Sequence, residues 1–121
     1  MSDPINSYRD LIAWQKACAL GKVVYKVAGT FPDHERFGLM SSLRRMSYTI
    51  SSHISNGYGR GNKQDYVWYL KQARGELYQL DTQLLFAKDF RYIDDEAHSR
   101  LQGQHTECEL VLAGLIRSLG G

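Results

Sequence analysis

The sequence predicts an all-α protein, an antiparallel up-and-down left-handed four-helix bundle, and three observations carry that prediction. The only prolines are Pro4 and Pro32, so nothing interrupts backbone hydrogen bonding between Asp33 and Gly121. Apolar residues recur at intervals of three and four in four separate stretches. Short breaks rich in glycine, asparagine or aspartate divide those stretches, so sequence neighbours should run antiparallel and cross at about 20 degrees.

The first stretch, from about Asp10 to Gly29, places Leu11, Trp14, Cys18, Gly21, Tyr25 and Ala28 on one face, with Ile12, Leu20, Val23 and Val27 off it. It should stop near Phe31 and Pro32, because proline disfavours helical geometry in the residue before it. The second, from about Arg36 to Asn56, aligns Met40, Leu43, Met46, Ile50 and Ile54. Its many serines are weak helix formers, so packing must hold it, and their small size lets neighbouring helices come close.

The run from Asn56 to Asn62, with Gly57, Gly59 and Gly61, should end that helix, and Asn62 suits the N-cap of the next. Flanked by Arg60 and Lys63, the run could also offer backbone N–H groups to a phosphate, but it lacks the P-loop spacing and reads first as a cap and turn. The third stretch, Lys63 to Lys88, is the most regular. Tyr66, Leu70, Ala73, Leu77, Leu80, Leu84 and Ala87 form a heptad seam. The fourth begins at Asp94, a good N-cap, and aligns Ala97, Leu101, Gln104, Cys108, Val111, Leu115 and Leu119.

With 43% hydrophobic and 23% charged residues, 121 residues make one globular domain, residues 1–121, with residues 1–8 expected as a flexible arm. The N-terminal sequence has neither a basic nor an apolar leader region, so a cytoplasmic protein with no membrane contact is expected. Cys18 and Cys108 fall on helical stripes and read as reduced core thiols.

The third helix has a second apolar side. Opposite its seam lie Val67, Trp68, Gly75, Tyr78, Thr82, Leu85 and Phe86, broken chiefly by Lys71. A monomer has no use for such a face, so a homo-oligomer is expected, with Val67, Trp68, Tyr78, Leu85 and Phe86 at the contact.

Chemistry is not expected. His105 with Cys108, and Asp95 with His98, approach metal-ligand spacing without completing a set, and no nucleophile has an evident base. No catalytic residue, metal, cofactor or small-molecule substrate is assigned. Charge is the remaining signal: between Ser41 and Arg74 stand Arg44, Arg45, Arg60, Lys63, Lys71 and Arg74 against one acid, Asp65, a net +5 in a chain of net +2. Tyr48, Tyr58, Tyr66, Trp68 and Tyr69 lie among them, a mixture suited to phosphate contacts and base stacking.

Several motifs, in order and at fitting spacing, carry a resemblance. They are Arg9-Asp10-Leu11 with Trp14-Gln15-Lys16-Ala17, Phe31-Pro32, Phe37-Gly38-Leu39, Leu43-Arg44-Arg45, Gly57-Tyr58-Gly59-Arg60, Leu80-Asp81-Thr82-Gln83-Leu84 and Gly114-Leu115-Ile116. From about Tyr8 to Leu119 the chain resembles the bacterial four-helix bundle proteins associated with intervening sequences in 23S ribosomal RNA genes. The resemblance implies a homopentamer ring, no enzyme activity, and kinship with the accessory proteins of diversity-generating retroelements, basic pentamers that bind nucleic acid. Near the end of the second helix the family usually has an acid and often a proline, where this chain has Ser51, Ser52, His53 and Asn56.

The leading expectation is therefore a non-enzymatic ring that binds RNA or DNA through the six cations. The alternative is a protein-interaction scaffold whose cations are consumed in ion pairs with Asp65, Glu76 and Asp81.

Overall fold

In the computed structural model, which describes residues 4–121, four α-helices follow one another: α1 (Ile12–Ala28), α2 (Leu39–Tyr58), α3 (Lys63–Asp89) and α4 (Asp95–Ser118). Each helix packs against its two neighbours around the ring of four, α1 on α2 and α4, and α3 on α2 and α4, and neither diagonal pair meets. That is the up-and-down bundle arrangement, and no strand occurs among the described residues.

The chain enters through a 3-10 turn, Tyr8–Asp10, closed by a capping box in which the Ser7 hydroxyl accepts from Arg9 N–H and the Asp10 carboxylate accepts from Asn6 and Ser7 N–H. Of the expected arm, residues 1–3 lie outside the described residues, and Ser7 and Tyr8 belong to this turn. The Tyr8 ring meets Trp14 edge-on at 5.3 Å.

The heptad seam of α3 is the centre of the core: Leu70, Ala73, Leu77, Leu80, Leu84 and Ala87 are fully buried, and Tyr66 packs at their edge. On α2, Leu43, Met46, Ile50 and Ile54 are buried as expected, while Met40 is half-buried.

The faces of α1 and α4 differ from those read in the sequence. On α1 the buried stripe is Ala13, Ala17, Leu20, Gly21, Val24 and Ala28; Trp14 and Cys18 are half-buried and Tyr25 is exposed. The reason lies at Gly21, where a Cβ would stand 1.8 Å from the Ser47 carbonyl oxygen of α2. So close an approach admits only small side chains, and the large rings at Trp14 and Tyr25 are pushed to the rim.

On α4 the buried set is Leu101, His105, Cys108, Leu112 and Ile116, one residue round from Gln104, Val111 and Leu115. The apolar run from Leu110 to Ile116 is wide enough that periodicity alone could not choose between adjacent faces. His105 is buried, its Nε2 lying 2.8 Å from the Leu77 carbonyl of α3. A carbonyl only accepts, so Nε2 carries the hydrogen.

The second helix also runs further than expected. It continues through Asn56 to Tyr58, and Gly57 sits inside it, where a Cβ would meet Tyr69 Cβ at 2.7 Å. Gly57 is thus a packing residue against α3, and only Gly59 and Gly61 belong to the turn. Gly61 takes φ +81° and Asn62 caps α3 through a 2.9 Å bond from Asp65 N–H. The Asp65 carboxylate accepts from the Asn62 amide, which puts an acid where a phosphate would have bound.

The α1–α2 and α3–α4 connections are joined at the far end. Tyr92 donates to Glu35 at 2.7 Å and lies 3.0 Å from His34 Nε2, while the other Glu35 oxygen accepts from Leu39 N–H at the start of α2. These bonds, the Tyr92 hydroxyl first and Leu39 second, hold the Glu35 carboxyl below its ordinary value, and the same carboxylate raises the Tyr92 phenol. A depressed carboxyl contributes stability above its unfolded pKa that is lost as pH falls through its folded one. Tyr92→Phe should therefore lower the thermal midpoint at neutral pH, and the gap from the parent should close in melts taken below the ordinary glutamate range.

Candidate nucleic-acid interface

Charge is divided between the two halves of the bundle. Within α1 and α2 the ionised side chains are Lys16, Lys22, Lys26, Arg44 and Arg45, with no carboxylate on either helix. On α3, four cations balance four acids, and α4 carries Arg100 and Arg117 against Asp95, Glu96, Glu107 and Glu109. Because α1 and α2 are adjacent, Lys22, Arg44 and Arg45 come together on one side, while Lys16 pairs with Glu107 of α4.

The groove between these helices is built from that side. One concavity of about 400 Å³ is lined by Tyr25, Arg36, Met40, Ser41, Arg44, Arg45 and Tyr48. A narrower one of about 260 Å³ shares Tyr25 and Tyr48 and continues along Cys18, Gly21, Lys22, Ser47 and Ser51. Arg36, Arg44, Arg45 and Lys22 line this groove and no carboxylate does.

The six cations expected to act together do not form one patch. Arg44 and Arg45 lie in the α1–α2 groove. Arg60 stands in the α2–α3 turn, with its guanidinium 5.3 Å from the Tyr69 ring and its Nε 3.9 Å from Asp65. Lys63 and Lys71 flank a different hollow of about 700 Å³, shared with Trp68 and the C-terminal Leu119, Gly120 and Gly121. Arg74 is half-buried further along α3. From Arg45 to the end of α2 is already about 20 Å at 1.5 Å per residue.

Nor are the cations consumed as the scaffold reading expected. Arg60 reaches Asp65, but Glu76 accepts from Thr49 and Asp81 from Gln102. Among the described residues, Arg45, Lys63, Lys71 and Arg74 have no acidic partner within 4 Å.

Arg44 is partly structural: its guanidinium stacks 4.4 Å from the Tyr25 ring and its Nε donates to the Tyr25 carbonyl at 3.3 Å, near the end of α1. Arg45 is exposed and free to meet a ligand. Of the aromatics in the basic stretch, Tyr58 and Tyr66 pack on the core, Tyr69 is held between Trp68 and His53, and Tyr48 and Trp68 remain exposed. Lys22, Tyr25 and Arg36 were not among the expected site residues, because they precede the Ser41–Arg74 stretch.

The α3 face expected at a subunit contact is open. Trp68, Tyr78, Leu85 and Phe86 are each about half exposed, and Phe90 extends the stripe. Val67 is half-buried instead, packed toward Gly121.

The family profile described as 23S rRNA-intervening sequence protein matches residues 9–114. The chain belongs to that family. A comparison with curated proteins finds no match. The motifs quoted above lie inside the matched span apart from Leu115 and Ile116, so the family's sequence pattern covers both halves of the bundle.

For this family member, two further features bear on chemistry. No group of three or more His, Cys, Asp or Glu among the described residues could hold a metal ion, and no helix there is long and apolar enough to cross a membrane. Cys18 is not a core thiol but half-buried on the groove, whereas Cys108 is fully buried, and burial pushes its thiol up to about 11. Both are free. At neutral pH, iodoacetamide should alkylate Cys18 first and Cys108 only after unfolding, as peptide mass mapping with and without urea will show.

Proposed function

We propose that this protein is a non-catalytic, cytoplasmic, ring-forming bundle that binds nucleic acid along its α1–α2 side. The observation that carries this reading is the groove between α1 and α2, lined by Lys22, Arg36, Arg44 and Arg45 and by no carboxylate. A polyanion gains contacts there and meets no like charge. The family description names no catalytic activity, and Lys63 and Lys71 form a secondary basic area apart from Arg74.

The exposed stripe of α3 serves assembly in this reading, through Trp68, Tyr78, Leu85 and Phe86 with Val67 at its edge, and the family resemblance suggests five copies. The groove lies between α1 and α2 and shares no residue with the stripe.

The test is binding of a labelled RNA across a salt series. Affinity should fall steeply with salt, and Arg45→Ala and Lys22→Ala should each reduce the slope of log K against log salt by about 1. Salt-insensitive binding, or none at low salt, would sink the reading. Equal losses from Lys63→Ala and Lys71→Ala alone would move the site to the other hollow.

A further inference from the structure

The groove contains more than charge. Tyr48 projects from the outer side of α2, 56% exposed, and its ring has no aromatic, cationic or hydrogen-bonding partner among the described residues. Arg45, three residues before it on the same side of the helix, is also exposed and has no acid to pair with. Across the groove, the Tyr25 ring is already covered by the Arg44 guanidinium at 4.4 Å, which fixes a flat, cationic wall. Serines 47 and 51 between them keep the floor low.

Resting on the nucleic-acid reading above, we infer that the α1–α2 groove takes single-stranded nucleic acid, with an unpaired base stacked on Tyr48 and the adjoining phosphates held by Arg45 and Lys22.

The preference follows from the geometry of the ring. In a duplex the faces of the bases are covered by their own neighbours, so an aromatic side chain standing beside a basic groove finds nothing to stack on. A single strand can turn a base out onto it. The concavity beside Tyr48, about 400 Å³, has room for a base and its sugar, which a surface made only for backbone contact would not need. Stacking also tolerates any base, so little sequence preference is expected.

The experiment compares three probes at low salt: a twelve-nucleotide oligoadenylate RNA, the same strand annealed to its complement, and inorganic polyphosphate of similar charge. The parent protein should hold the single strand more tightly than the duplex. Tyr48→Ala should weaken the single strand at least fivefold and leave polyphosphate unchanged, while Tyr48→Trp should restore single-strand binding. Tyr48 is exposed, so both variants should keep the parent's melting temperature.

If the duplex binds as well as the single strand and Tyr48→Ala changes neither, the stacking inference fails while nucleic-acid binding stands. If no probe binds, both fail.

Discussion

Gly21→Ala should destabilise the bundle by about 3 kcal/mol or more, the largest effect expected of any single methyl group here. The added Cβ would lie 1.8 Å from the Ser47 carbonyl oxygen and 2.9 Å from its carbon. Those atoms are backbone in the middle of α2, so no rotamer change relieves the clash and the two helices must move apart. That movement would loosen the core in which Leu20, Val24, Leu43 and Met46 are buried. Gly103→Ala on α4 is the control: a Cβ there meets nothing within 4 Å, and removing a helical glycine should stabilise by about 0.5–1 kcal/mol. Urea unfolding at one fixed protein concentration measures both, since assembly makes stability depend on concentration. A Gly21→Ala midpoint equal to the parent's would show that α1 and α2 are not this close.

The second large effect concerns assembly. Trp68 and Phe86 lie on the outer stripe of α3, 56% and 51% exposed, with Tyr78 and Leu85 between them. Trp68→Glu combined with Phe86→Glu puts charges towards both ends of the proposed contact, where burying them unpaired costs more than the interface can return. Light scattering at micromolar concentration should give an oligomer for the parent and a monomer for the double variant. Helical content should not change, because neither side chain belongs to the core. A parent of monomer mass would overturn the ring.

The candidate site was partly legible in the residue order. Arg44, Arg45 and Tyr48 stand close in the chain to Arg60, Lys63, Lys71 and Arg74, which the fold carries to other surfaces. The absence of any acid from both Ile12–Ala28 and Leu39–Tyr58 is visible without coordinates. That these two acid-free helices pack side by side is expected of sequence neighbours, but only the packing shows that Lys22 and Arg36, both outside the basic stretch, reach the same groove.

The sequence by itself determined the four helices, the seam of α3, the Asn62 and Asp94 caps, and the apolar outer side of α3. These are properties of local spacing, and a period of 3.6 residues with a good cap leaves little choice. The tertiary structure decided which adjacent stripe of α1 and of α4 turns inward. In α4 two neighbouring apolar faces are nearly equivalent alone, and only the shape of the space left by α3 distinguishes them. In α1 the deciding contact is Gly21 against Ser47, a backbone-to-backbone approach that no pattern of side-chain polarity records. The same approach pushes Tyr25 out to the rim of the basic groove, so the packing that closes the core also builds the surface on which function is proposed.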